Sequence, residues 1–193
     1  MSLKKLLKYL LTRLNCFFMH VPYSPGLYVG LGAKIDLSGG GRLSLQENVQ
    51  LMPQCMLVPH RNGLISIGKN SQISMYSRIA SACHVKIGDN VVFGPNVFVA
   101  DYNHEYRDVT KPIMNQGMFS VWGDESKPCL LVDDDCWIGT NVVIIGNVRI
   151  GKHCVVGANS VVNSDIPDYS IAVGVPAKVV KKYDFISNQW IKV

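Results

Sequence analysis

The sequence is poor in charge. Asp, Glu, Lys and Arg make up 17% of its 193 residues, against 48% hydrophobic, a balance that excludes an intrinsically disordered chain. It has no arginine-rich block, so a formal net charge of +5 is no nucleic-acid footprint. It fits the binding of an anionic small molecule as well. It has no CxxC pair and no Cys/His spacing of a zinc module, which excludes zinc fingers and ribbons. Cys16, Cys55, Cys83, Cys129, Cys136 and Cys154 therefore read as reduced thiols packed as small apolar residues, a cytoplasmic pattern. No apolar run can cross a bilayer: the uncharged stretch Leu14 to Val21 is far too short. There is also no small-residue cleavage site behind a clean apolar stretch, so no signal peptide is expected. The length suits one domain with a sizeable core.

What is present is a repeat. Ile67, Ile73 and Ile79 are six residues apart, and the register resumes at Ile87, Phe93 and Val99. It returns as Val132, Ile138, Ile144, Ile150, Val156 and Val162. Looser versions run through Leu31, Leu37, Leu43 and through Leu45, Leu51, Leu57. Glycine often follows the aliphatic residue, and Asn70, Asn90, Asn96, Asn141, Asn147 or Asn159 stands three places on. A period of six fits neither an amphipathic helix nor strand alternation. It fits a short strand plus a sharp turn, with β-branched residues in the strand and Asn or Gly taking left-handed backbone at the corner. Three units make a triangular coil, and coils stack about 4.8 Å apart. The expected fold is all-β, a parallel β-helix of hexapeptide repeats.

The repeat stops at Val99 and resumes at Val132. A loop of this length inside a solenoid is more often functional than not. We read residues 100–131 as an arm that leaves the prism and helps form a site with a neighbouring subunit. At the N-terminus, Leu3, Leu6, Leu7, Leu10, Leu11 and Leu14 follow helical spacing, with Lys4, Lys5, Lys8 and Arg13 between them. Two readings stand for this helix: a cap packed on the domain, or a helix lying on an anionic membrane surface. The organisation is then a helix over 1–22, the β-helix over 23–183 with its arm, and a C-terminal cap over 184–193, either a short helix or extended.

Asp101-Tyr-Asn-His104, followed by Pro112-Ile113 and Gln116-Gly117, resembles the arm of hexapeptide-repeat O-acetyltransferases that modify sugars. Cys136-Trp-Ile-Gly-Thr140, Asp165-Ile-Pro and Gly174-Val-Pro-Ala-Lys178 resemble that family's later coils and tail. The resemblance covers roughly residues 65 to 183, and is closest to galactoside, maltose and polysaccharide O-acetyltransferases. It implies a left-handed coil, a homotrimer, and acetyl-CoA as co-substrate in a groove between two prisms. It also implies a sugar or glycan acceptor and His104 as general base. Imidazole titrates in the range this chemistry needs, and the reaction requires no metal. Asp101 or Glu105 could orient the ring. The resemblance maps the cofactor onto Trp137, Thr140, Ala158, Lys178 and Lys181. Lysine there lacks the bidentate fork of the arginine common in relatives, and Asn163-Ser164 replaces a common Thr-Lys. His20, His60, His84 and His153 have no comparable setting, and His153 falls at an outward position.

Three other functions compete with this reading. An antibiotic-modifying acetyltransferase would differ only in its acceptor pocket. A non-catalytic β-helix scaffold would need neither the loop histidine nor the cofactor-like tail. A zinc carbonic anhydrase on the same prism needs three histidines, two of them closely spaced, and here the nearest pair, His84 and His104, lies twenty residues apart. The enzyme reading places the chain in the cytoplasm, with peripheral contact at the inner face of the membrane open to the N-terminal helix and no nucleic-acid partner.

Overall fold

A computed structural model of the chain describes residues 3–18, 21, 23–60, 62–120 and 128–193. Parts of the expected N-terminal helix region and of the expected arm (121–127) lie outside the described residues. A helix over Leu3–Phe18 precedes a triangular prism of short parallel strands. The first face stacks Tyr28–Val29, Gln50–Leu51, Gln72–Ile73, Val92–Phe93, Trp137–Ile138, Val155–Val156 and Ser170–Gly174. The second stacks Lys34–Ile35, Met56–Pro59, Arg78–Ser81, Phe98–Ala100, Val143–Ile145 and Val161–Val162. The third stacks Arg42–Leu45, Leu64–Ile67, His84–Ile87, Leu130–Val132 and Arg149–Ile150.

The six-residue period becomes three interior ladders. Leu51, Ile73, Phe93, Ile138 and Val156 lie in register on the first face. Leu57, Ile79, Val99, Ile144 and Val162 do so on the second, and Ile67, Ile87, Val132 and Ile150 on the third. All are buried. The register expected at the start of the prism is wrong by two residues. Val29 and Ile35 fill the first coil, while Leu31 is 77% exposed at its corner and Leu37 and Leu43 pack only partly. Val29 and Ile35 are themselves six apart, so the period alone did not decide between the two sets.

Asn48, Asn70, Asn90, Asn96, Asn141 and Asn159 occupy corners at φ 57° to 60°. Each such residue costs about 1–2 kcal/mol relative to right-handed backbone. Side-chain ladders offset this cost: Asn48 donates to Asn70, Asn70 to Asn90 and Asn90 to Asp135, each at 3.0 Å. Asn96 and Asn141 continue likewise to Asn159 at another corner. Asn147 does not follow the pattern. Gly146 takes the positive φ, 90°, instead.

The helix closes the first coil. Tyr28 and Gly30 donate upward to Val49 and Leu51, which leaves the N–H and C=O of Val29 on the open edge. Thr12 Oγ accepts from the Val29 N–H at 3.2 Å, and Asn15 Nδ2 donates to the Val29 oxygen at 3.1 Å. An uncovered strand edge is thereby satisfied by side chains. At the other end Ala177–Asp184 pairs antiparallel with Ser170–Gly174 and with Gln189–Lys192. The rings of Tyr169, Tyr183, Phe185 and Trp190 pack edge to face there. Among the described residues no helix is long and apolar enough to cross a membrane.

Six reduced thiols are not what the fold holds. Cys83 and Cys129 form a disulfide, with Cα atoms 6.2 Å apart. The chain leaves and re-enters the prism at one corner, which brings together two cysteines 46 residues apart. Cys16, Cys55, Cys136 and Cys154 are free and buried, and burial pushes the Cys55 thiol up to about 12, as expected of packing thiols.

Candidate active site

The arm leaves after Ala100, at the corner between the second and third faces. Tyr102–His104 and Met118–Ser120 form an antiparallel ribbon in which His104 pairs with Met118. Successive strand residues alternate in direction, so Tyr102 and His104 share one side of the ribbon. His104 is exposed. The arm's outer loop is cross-linked internally. Gln116 Nε2 donates to the oxygens of Asp108 at 2.8 Å and Lys111 at 2.9 Å, and its Oε1 accepts from the Asp108 N–H. Asp108 in turn holds Thr110 and Lys111.

The root of the arm is pinned three times. The Asp101 carboxylate, 3% exposed, accepts from Ser81 Oγ at 2.7 Å, Ala82 N–H at 2.7 Å and Cys83 N–H at 3.2 Å. The disulfide ties Cys83 to Cys129 on the returning strand. The Tyr102 hydroxyl and His60 Nε2 lie 2.9 Å apart, with their rings edge to face. Sequence reasoning missed His60, Ser81 and Cys83. A signal existed: residues about twenty apart stack on successive coils, as Ser81 does under Asp101.

Neither carboxylate suggested as an orienting group hydrogen-bonds His104 among the described residues. Asp101 faces the prism corner. Glu105 accepts from Arg107 Nε at 2.8 Å and from the backbone N–H groups of Tyr106 and Arg107 at 3.0 Å. The Arg107 guanidinium and these N–H groups hold its carboxyl down to about 2.

The residues mapped to a cofactor gather elsewhere, on the upper first face and its edge. Trp137 is 57% exposed there. It stands in register with Val92 and Val155, and Val155 with Ile171, which pairs with Lys181. Lys178 pairs with Val173 on the same hairpin. Thr140 and Ala158 are exposed at the corner between the first and second faces. They stack because Gly94 and Gly139 lie beneath them: a Cβ on either would come within 2.7 Å of the backbone nitrogen of Thr140 or Ala158. Asn163 and Ser164 are exposed at the far end of the second face. His104 and the Thr140–Ala158 edge thus lie at different corners of one prism, separated by the second face. Among the described residues no three His, Cys, Asp or Glu side chains are grouped to hold a metal.

The comparisons with known proteins agree with this architecture. Residues 131–164 match the model of the bacterial transferase hexapeptide (six repeats). The chain is 31% identical over 152 residues to an Escherichia coli K12 protein named for O-acetyl transfer in lipopolysaccharide biosynthesis, covering 79% of this chain and 78% of that one. It is 37% identical over 117 residues to a Mycobacterium tuberculosis protein named as an acetyltransferase, covering 61% of this chain but 35% of that longer one. In fold it is similar to the hexapeptide-repeat acetyltransferase of Vibrio cholerae solved with acetyl coenzyme A: TM-score 0.60, 24% identity, 95% of this chain and 80% of that one. Similarity spanning most of both chains, on a prism whose ladders carry the six-residue period, assigns this chain to the hexapeptide-repeat acetyltransferase family.

Proposed function

We propose that this protein transfers an acetyl or similar acyl group from acyl-CoA to a hydroxyl of a sugar or polysaccharide, with His104 as general base. The observation that carries the reading is the position of His104: exposed on a cross-linked ribbon whose root is pinned by Asp101, the disulfide and Tyr102. A free hydroxyl is a poor nucleophile. The neutral imidazole accepts its proton as the oxygen attacks the thioester carbonyl. The tetrahedral intermediate then collapses, the C–S bond breaks, and the imidazolium returns the proton to the departing thiolate. Positioned backbone N–H groups at a tight corner can stabilise the oxyanion. Trp137, Thr140 and Ala158 would flank the pantetheine arm, and Lys178 and Lys181 would face the phosphates.

The separation of His104 from the Thr140–Ala158 edge supports a site shared between copies. A homotrimer would bring one chain's arm against its neighbour's first face. Asp101 acts in this reading on the root of the arm, holding the ribbon rather than the ring. The similarity to a protein named for lipopolysaccharide O-acetyl transfer favours a glycan acceptor. The supply of CoA thioesters favours the cytoplasm, while the Cys83–Cys129 bridge removes the reduced-thiol argument for that compartment. The test is acetyl-CoA consumption in the presence of sugar acceptors. His104→Ala should lower the rate about 10²–10⁴-fold; an unchanged rate removes His104 as base.

A further inference from the structure

The N-terminal helix is mounted with its polar side toward the prism. Thr12 and Asn15 are spent on the open edge of the first coil, and Cys16 is buried beside them. At 3.6 residues per turn, Leu7, Leu10 and Leu14 then fall on the side away from the prism. They are 57%, 53% and 51% exposed. A helix serving only as a cap would bury this stripe and turn Thr12 and Asn15 outward.

We infer that this helix docks the protein on an anionic lipid surface. Charge selects the occupant. Up to residue 35 the sequence carries Lys4, Lys5, Lys8, Arg13 and Lys34 and no Asp or Glu; the first acidic residue is Asp36. A second copy meeting this stripe through its own helix would bring two cationic segments together with no carboxylate on either. An anionic bilayer meets both requirements: leucines enter the acyl boundary while lysines meet the headgroups. The helix has 16 residues, too few to span, so it lies in the interface. The prism then stands on its first coil. The Thr140–Ala158 edge, four to five coils up, lies about 20 Å above the headgroups at the spacing of stacked strands. An acceptor tethered to lipid would reach it only through a glycan several sugars long.

The test uses the full chain and sedimentation with vesicles of phosphatidylcholine, with and without about 30 mol % phosphatidylglycerol. The expected result is binding to the anionic vesicles only, weakened between about 0.1 M and 0.5 M salt. Lys4→Gln and Lys5→Gln should each lower partitioning about fivefold. The pair Leu10→Glu and Leu14→Glu should abolish it, with melting temperature and acyl transfer to soluble sugars unchanged. Failure to bind, or equal binding to both vesicles, overturns the inference. So does a Leu10→Glu, Leu14→Glu variant that converts a larger assembly into a smaller one, which would assign the stripe to a second copy. Because transfer to soluble sugars is read separately, loss of lipid binding and loss of the catalytic reading are distinguishable.

Discussion

Replacing Asp101 separates two roles that one carboxylate beside the arm could play. Asp101 accepts three hydrogen bonds, from Ser81 Oγ and from the N–H groups of Ala82 and Cys83, and is buried. Hydrogen bonds to a charged group contribute about 1.5–3 kcal/mol each, and an unsatisfied buried donor costs about 1–3 kcal/mol. Asp101→Ala orphans two backbone donors, while the Ser81 hydroxyl can rotate to another partner. The expected loss is about 3–5 kcal/mol, or about 10 °C in melting temperature for a chain of this size. Asp101→Asn keeps Oδ1 for the Ala82 N–H and can reverse the Ser81 bond, but it sets an amide N–H against the Cys83 N–H. That variant should lose about 1–2 kcal/mol. The assay is thermal unfolding followed by acyl transfer well below both transitions, where Asp101→Asn should retain most of its rate. A melting temperature for Asp101→Ala within about 2 °C of the parent refutes the corner role. A large rate loss in Asp101→Asn at unchanged stability would make Asp101 a partner of the imidazole instead.

Other expectations are independent of that residue. The Cys83–Cys129 bridge closes a loop of 46 residues, worth about 4 kcal/mol in the chain-entropy account. Denatured, unreduced protein should therefore titrate four thiols, those free in the fold, and Cys83→Ser should melt lower; six thiols before reduction would contradict the pairing. His84 sits on the third face with Nε2 3.1 Å from Ser66 Oγ. Burial first, then Lys86, lowers its pKa below the ordinary histidine value. The unfolded chain thus takes up this proton more readily than the folded one, so stability should fall as pH drops through about 6.5 and be restored above it. Melting curves of His84→Gln should lack that component, and an identical pH profile in both proteins would count against it. Ile144 is fully buried in the second-face ladder. Ile144→Ala should cost about 2–5 kcal/mol by cavity formation, measured by denaturant unfolding; a cost below about 1 kcal/mol would mean that the ladder collapses around the gap.

How much of this was legible in the sequence follows from where the physics is local. The ladders and the Asn corners were readable because each unit repeats one local solution, an aliphatic residue inside and a left-handed residue three places on. Leu31 misled because leucines at the right spacing stood beside the true pair, Val29 and Ile35, and only the stacking of the second coil decides between them. Asp101 was noticed as a carboxylate near His104. Its actual partners, Ser81 to Cys83, lie one coil below, and a coil with two extra residues hides that alignment. The disulfide was lost to a count that weighed spacing along the chain and not the return of the arm to its own corner. The candidate cofactor edge was reached by resemblance alone; the close approach of Gly94 to Thr140 and of Gly139 to Ala158 explains why those two residues lie together, and nothing more. The helix was read correctly as amphipathic, but which side it would bury depended on the unpaired edge at Val29.

The central claim is that acyl transfer needs an arm from one copy and a first-face edge from another. It is tested most directly by mixing two inactive proteins. His104→Ala keeps the edge and loses the base; Ala158→Trp keeps the base and blocks the edge. Co-expressed in equal amounts, they should recover about a quarter of the parental rate if subunits assemble at random in a closed ring, while each alone stays inactive. Mixed assemblies with no recovered activity would place both groups in a site within one chain and contradict the account.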